Sequence, residues 1–460
     1  MPDKDELFYK KKSVYDILNE DELVKADAYC EEYKAFLNSA KTERESVAEA
    51  IRLASGCGFL PYKRGMELSA GTKTFLSAGG KALILAVIGK EPLSAGVNIA
   101  AAHIDAPRID LKQVPLYEDS EMAFFKTHYY GGIKKYQWVA QPLALHGVVI
   151  KKDGSAVNIV IGEDPTDPVF MITDLLPHLG KDQEKKTLGE AFTGENLNIL
   201  IGSRPTGEEK DENRFKHTIM QILNDKYGII EEDFISAEIE AVPAMNARDI
   251  GFDRSMIGAY AHDDRSCAFA ALRAIMDIGV PARTAICILA DKEEVGSDGV
   301  SGMQSAMFEG FMEDLCSAGS VKLRDCFSSS FCLSVDVCNA YDPNFADVSE
   351  KLNSAKLGCG MSLCKFTGAR GKSGSSDASA EVVAMLRQVF AEKGVVWQMA
   401  ELGKVDQGGG GTIAKFMANR NIDTIDAGVP VLSMHAPYEI VAKVDCYMTN
   451  RGIAAIYGRE

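Results

Sequence analysis

Lys81 to Lys112 reads KALILAVIGKEPLSAGVNIAAAHIDAPRIDLK, and two near-continuous apolar runs within it, Lys81 to Ile88 and Val97 to His103, flank the turn-forming GKEPLSAG. Runs of this length and Ile/Val content predict buried strands. The second strand delivers His103 and Asp105 at its end, so the fold-deciding stretch is also the first chemically loaded one.

Working outward, Glu20 to Leu53 spaces apolar residues among Lys and Glu as amphipathic helices packed on a sheet do. Downstream, Ala261 to Ile278 reads as a helix, Arg283 to Ala290 (RTAICILA) as a strand and Phe331 to Val337 (FCLSVDV) as another. Strand–helix alternation predicts an α/β fold with a doubly wound mixed sheet. From about Asp110 to Val242 the pattern turns β-like: LALHGVVI, KKDG and SAVNIVIG predict a hairpin between Leu143 and Gly162. A short helical pattern runs from His217 to Tyr227, after the charged, poorly patterned Gly207 to Lys216. The expected organisation is one α/β domain in two parts, residues 1–109 and 244–460, interrupted by a β-rich subdomain at 110–243.

With 460 residues the chain exceeds the usual single-core size, which suits that division. A net charge of −16 repels phosphate backbones and anionic membrane surfaces, so neither nucleic acid nor membrane is an expected partner. An acidic substrate would need a local basic pocket. The 11 Cys form no CxxC pair, the opening MPDKDELFYKKK carries no apolar export segment, and Ala82 to Gly89 is far shorter than the ~20 residues of a membrane span. These features predict a cytoplasmic protein with reduced thiols.

Five distant segments place acids or imidazoles after predicted strands or at helix starts: AAHIDAPRIDLK (from Ala101), AHDDRSCAFAAL (from Ala261), ILADKEEVGSDG (from Ile288), FCLSVDVCNAYDPN (from Phe331) and VLSMHAPYE (from Val431). Such positions gather ligand sites in open α/β sheets. They offer His103, Asp263, Glu294, Asp336 and His435, a mixed nitrogen–oxygen set suited to two divalent ions, zinc first, with manganese or cobalt as alternatives. Asp263 is the candidate bridge between ions ~3.5–4 Å apart that share a hydroxide. Glu293, beside Glu294, is the candidate general base. Asp105 is expected to accept a hydrogen bond from the ring nitrogen of His103 that faces away from the metal.

Blander readings compete at each position. His103 alone would more often be a structural histidine, Glu293-Glu294 a solvated doublet, and Asp263-Asp264 a helix cap. Asp264 is expected to cap the helix beginning near Arg265. His128 and His146 read as ordinary residues. QGGGGTIA lacks the order and Lys of a phosphate loop.

Taken together, these motifs resemble the aspartyl aminopeptidase and vacuolar aminopeptidase I family across the whole chain. The resemblance implies a catalytic α/β domain interrupted by a β-rich dimerisation subdomain, peptide substrates, and a homo-oligomer built from dimers into a tetrahedral dodecamer. It implies one ion on His103, Asp263 and Asp336, and another on Asp263, Glu294 and His435, with Glu293 as base. ITDLLPHLG (Ile172 to Gly180) resembles the segment that sends a histidine into a neighbouring subunit, making His178 a candidate oxyanion stabiliser. ARGKSGSSDASAE (Ala369 to Glu381) and QGGGGTIA (Gln407 to Ala414) resemble substrate-side loops, nominating Lys372, Gly409 and Gly410 and an acidic N-terminal preference. Another two-metal amidohydrolase, a carboxypeptidase or deacylase, is the neighbouring alternative. An inactive scaffold or cargo shell is the alternative of a different class.

Overall fold

The computed structural model describes residues 7–459, which divide into two compact units. The larger comprises residues up to Asp105, Ala247–Met434 and Glu439 onward; the smaller comprises Ala106–Asn246 with His435–Tyr438.

In the larger unit a nine-stranded mixed sheet is ordered Leu60–Pro61, Lys73–Ala78, Ala82–Val87, Ala285–Ala290, Asn98–His103, Phe331–Val335, Asp423–Gly428, Met361–Cys364 and Trp397–Met399. Asn98–His103 lies at its centre, parallel to both neighbours. The apolar runs lack alternation because both faces are covered. Leu83, Leu85, Ala100, Ala102, Cys287 and Leu289 pack into one core with the helices Glu20–Ser39, Glu43–Gly56, His262–Asp277 and Lys443–Tyr457. Their alternating partners Ile84, Ala86, Ile99, Ala101, Ile286 and Ile288 pack into a second core with the helix Met307–Ala318. Successive strand side chains point to opposite faces, so each strand feeds two cores.

Cap residues fix where the first helices start. Asn19 accepts the Glu22 amide at 2.9 Å, and Thr42 with Glu45 forms a reciprocal capping box. The helix His262–Asp277 precedes one neighbour of the central strand on the first face, while Met307–Ala318 precedes the other neighbour on the second. That change of face makes the C-terminal end of Asn98–His103 a switch point, where open α/β sheets leave a crevice for ligands. A five-stranded sheet of Arg248–Ile250, Met256–Ala259, Glu439–Ala442, Pro430–Leu432 and Cys338–Asn339 completes the unit. Its strands of two to four residues gave too short a pattern to read in the sequence.

The smaller unit is built on a six-stranded antiparallel sheet. The hairpin falls at Leu143–Ile150 and Ala156–Ile161, and the helical pattern becomes Arg214–Tyr227, three residues longer than the sequence suggests. No helix among the described residues is long and apolar enough to cross a membrane.

Candidate metal centre

His103 ends its strand opposite Ala290, and the neighbouring parallel strands release Glu293 and Glu294 on one side and Asp336, directly after Val335, on the other. Asp263 enters from the first turn of the helix His262–Asp277, where its backbone is not yet helical and its peptide to Asp264 is cis. Ligand atoms of His103, Asp263 and Asp336 all lie within 4.8 Å of one another, and those of Asp263 and Glu294 likewise. His103 Nε2 is 3.2 Å from Asp263 Oδ1 and 4.0 Å from Asp336 Oδ1.

The surroundings hold these groups in place. Nδ1 of His103 faces the backbone carbonyl of Asp105 at 3.0 Å, with the Asp105 carboxylate farther off at 3.4 Å. The sequence predicted the carboxylate for this bond. Besides that contact, Oδ1 accepts the Glu293 amide at 3.1 Å and Oδ2 the Glu294 amide at 3.2 Å. Asp105 lies two residues beyond the strand end, so strand alternation no longer decides which of its atoms meets the imidazole.

Asp264 does not cap its helix. It is fully buried, and its Oδ2 accepts the backbone amide of His103 at 3.2 Å, tying the helix start to the central strand. The side chain of Glu439 likewise accepts the Asp263 amide at 2.9 Å. Neither role was signalled by spacing, although both residues lie inside the quoted motifs. Ala261 and Lys292 adopt left-handed backbone at φ 63° and 70°, a conformation worth about 1–3 kcal/mol of strain that gathers at functional sites.

Electrostatics favour a cation here. Burial, then the nearby carboxylates Asp264, Asp263 and Glu293, drives the Asp336 carboxyl well above its ordinary range, with His103 opposing. Burial and Asp263 do the same to Asp264, again against His103. Burial alone would depress His103, but the bonds to Asp105 and Asp263 and the charges of Asp264 and Asp336 lift it well above the usual imidazole value. Clustered acids that cannot all ionise together, around an imidazole whose far nitrogen is already held, fit a divalent ion better than a proton.

The remaining candidates fall elsewhere. His435 groups with the smaller unit, where its Nδ1 faces the Gly132 carbonyl at 2.8 Å. His178 is exposed on an irregular segment beside the exposed Leu175, Leu176 and Leu179. His146 is buried against Glu163 at 3.0 Å, and His128 faces the Tyr129 carbonyl. Lys372 pairs with Asp377 at 2.8 Å and lies over the Phe366 ring, so its charge is committed locally. Gly409, at φ +99°, lies so close to Gly368 that an added Cβ would sit 1.8 Å from its carbonyl oxygen. Gly410 accepts the Gly368 amide. Gly409 thus lets one loop pack closely on another, whereas a Cβ at Gly410 would meet only the Leu402 side chain at 3.6 Å.

An α/β sheet with imidazole and carboxylates converging at its switch point defines a metallohydrolase. The chain belongs to the aminopeptidase I zinc metalloprotease (M18) family, whose model matches residues 36–457. It is thus an aminopeptidase, a peptide hydrolase. A relative from Clostridium acetobutylicum named "Probable M18 family aminopeptidase 1" is 49% identical, with 98% of each chain covered. The crystal structure of an M18-family aminopeptidase from Thermotoga maritima superposes with a TM-score of 0.94 at 44% identity, covering 98% of this chain and 100% of that one. That of aminopeptidase I from Clostridium acetobutylicum gives 0.92 at 46% identity, with 98% and 100% covered. A dodecamer structure of the Saccharomyces cerevisiae relative mApe1 shares the fold at 21% identity and a TM-score of 0.76, covering 94% of this chain and 96% of that one.

Proposed function

We propose that this aminopeptidase works with two divalent ions, zinc by preference and manganese or cobalt as substitutes, shared across Asp263. His103 and Asp336 complete one set of ligands; Glu294 and His435 complete the other. The observation carrying this reading is the convergence of His103, Asp263 and Asp336 within 4.8 Å at the central strand end. The ions supply Lewis acidity, polarising the scissile carbonyl and easing deprotonation of water at neutral pH.

The residues do the rest. Glu293, its backbone set by Asp105, takes the proton of the attacking water and passes it to the leaving amine nitrogen. His178, exposed among leucines that have no cover in the chain itself, is delivered by a neighbouring copy to hydrogen-bond the developing oxyanion. Such sharing requires a homo-oligomer, which we take to be a tetrahedral dodecamer built from dimers with the unit Ala106–Asn246 as the dimerising piece; the dodecamer of the yeast relative supports this reading. We place the enzyme in the cytoplasm, acting on peptides and favouring acidic N-terminal residues.

Fluorogenic aminoacyl substrates, acidic and neutral, run beside N-acylated peptides across zinc, manganese and cobalt test the reading. Turnover of free-amine substrates, lost on chelation and restored by metal, is expected. Turnover restricted to the blocked peptides would transfer the site to a deacylase, and metal-independent silence would leave a scaffold.

A further inference from the structure

The expected reader of an acidic substrate, Lys372, is paired with Asp377, yet a chain of net charge −16 needs some local cation to attract such a substrate. A cavity of about 240 Å³ opens directly beside the proposed base. Glu293, Glu294 and Ser297 line one side, and Thr412, Lys415 and Phe416 line the other. At ~30 Å³ per water it holds the volume of on the order of eight waters, room for one side chain rather than a folded segment.

Lys415 is the cation on that wall. It lies in the short helix Ala414–Ala418, which two residues separate from the GGGG run, and is half-buried. Among the described residues its ammonium has no carboxylate within 4.0 Å, and its recorded side-chain partner is the adjoining Phe416 ring at 4.8 Å. Charge balance with the two glutamates is the simpler role, but neither forms an ion pair with it. An ammonium held at a cavity rim, uncommitted and partly shielded from water, is built to meet an incoming anion.

We infer that Lys415 is the specificity-determining residue of the site, binding the side-chain carboxylate of an N-terminal Asp or Glu in the cavity beside Glu293. The inference rests on the aminopeptidase site proposed above. A charge-assisted hydrogen bond of this kind discriminates a carboxylate from its amide isostere by about 10- to 100-fold.

The test compares kcat/KM for Glu, Gln, Asp, Asn and Leu anilides in the zinc-loaded wild type and in Lys415→Met, Lys415→Arg and Lys415→Glu, with melting temperature and zinc content confirming folded protein. The Glu/Gln and Asp/Asn ratios should fall about 10- to 100-fold in Lys415→Met, survive partly in Lys415→Arg, and invert in Lys415→Glu. Ratios within about twofold of wild type in folded Lys415→Met and Lys415→Glu would overturn the inference while leaving the aminopeptidase reading intact. A wild type that cleaved none of the five anilides would instead remove that reading, and the inference with it.

Discussion

The carboxylate of Asp105 lies 3.1 Å from the backbone nitrogen of Glu293, and its second oxygen takes the next amide, that of Glu294. One side chain thus fixes the backbone of both the proposed base and its metal-binding neighbour, while its own carbonyl holds the imidazole of His103. Positioning is the role this geometry gives it.

Asp105→Asn should therefore lower kcat by about 10- to 100-fold with zinc still bound, because an amide can accept only one of the two bonds. Steady-state kinetics with parallel metal analysis checks this. An unchanged kcat would show that the glutamate turn holds its shape unaided.

Glu293→Gln should leave the ions in place and reduce kcat by about 10²- to 10⁴-fold, since the shape survives and the proton shuttle does not. Metal content by mass spectrometry and single-turnover rates decide the outcome. Retained turnover would move the base elsewhere.

His178→Ala should depress turnover without stripping metal. Mixing it with Glu293→Gln under conditions of subunit exchange should restore part of the activity, because hybrid assemblies regain complete sites. No recovery after verified exchange would argue that His178 serves its own chain.

Asp445 supplies a pH-dependent prediction away from the ligands. It is fully buried and accepts the amides of Gly358 and Gly360 at 2.8 and 2.7 Å, yet burial pushes its carboxyl up to about 8. The unfolded value is about 3.9, so between about pH 4 and 8 the folded chain holds a proton that the unfolded chain has released. Its contribution to stability is full below pH 4 and declines as pH rises through 8. Asn cannot titrate, so the urea midpoint of Asp445→Asn should gain on wild type between pH 5 and 8. Parallel pH profiles would contradict the assignment.

Much of this was legible in the sequence for a simple reason. Strands buried on both faces, such as Ala82–Val87 and Asn98–His103, advertise themselves as unbroken apolar runs, and chemistry at their ends stands out by contrast. His103, Glu293, Glu294 and Asp336 were nominated that way. Asp264 was misread because an acid before a helix looks like a cap, whereas its side chain reaches across to the His103 amide. Pattern nominated Lys372 and passed over Lys415, since what separates them is a tertiary partner: Asp377 engages the first and, among the described residues, no carboxylate engages the second. Gly409 looked like a ligand loop because close approach to a carbonyl and close approach to a substrate demand the same residue.

Anomalous diffraction at the zinc edge from crystals of the zinc-loaded enzyme tests the central claim most directly. Two peaks ~3.5–4 Å apart are expected, with Asp263 between them, one peak beside His103 and Asp336 and the other beside Glu294 and His435. A single peak in fully active crystals would contradict the shared pair, and a peak remote from Asp263 would contradict the site itself.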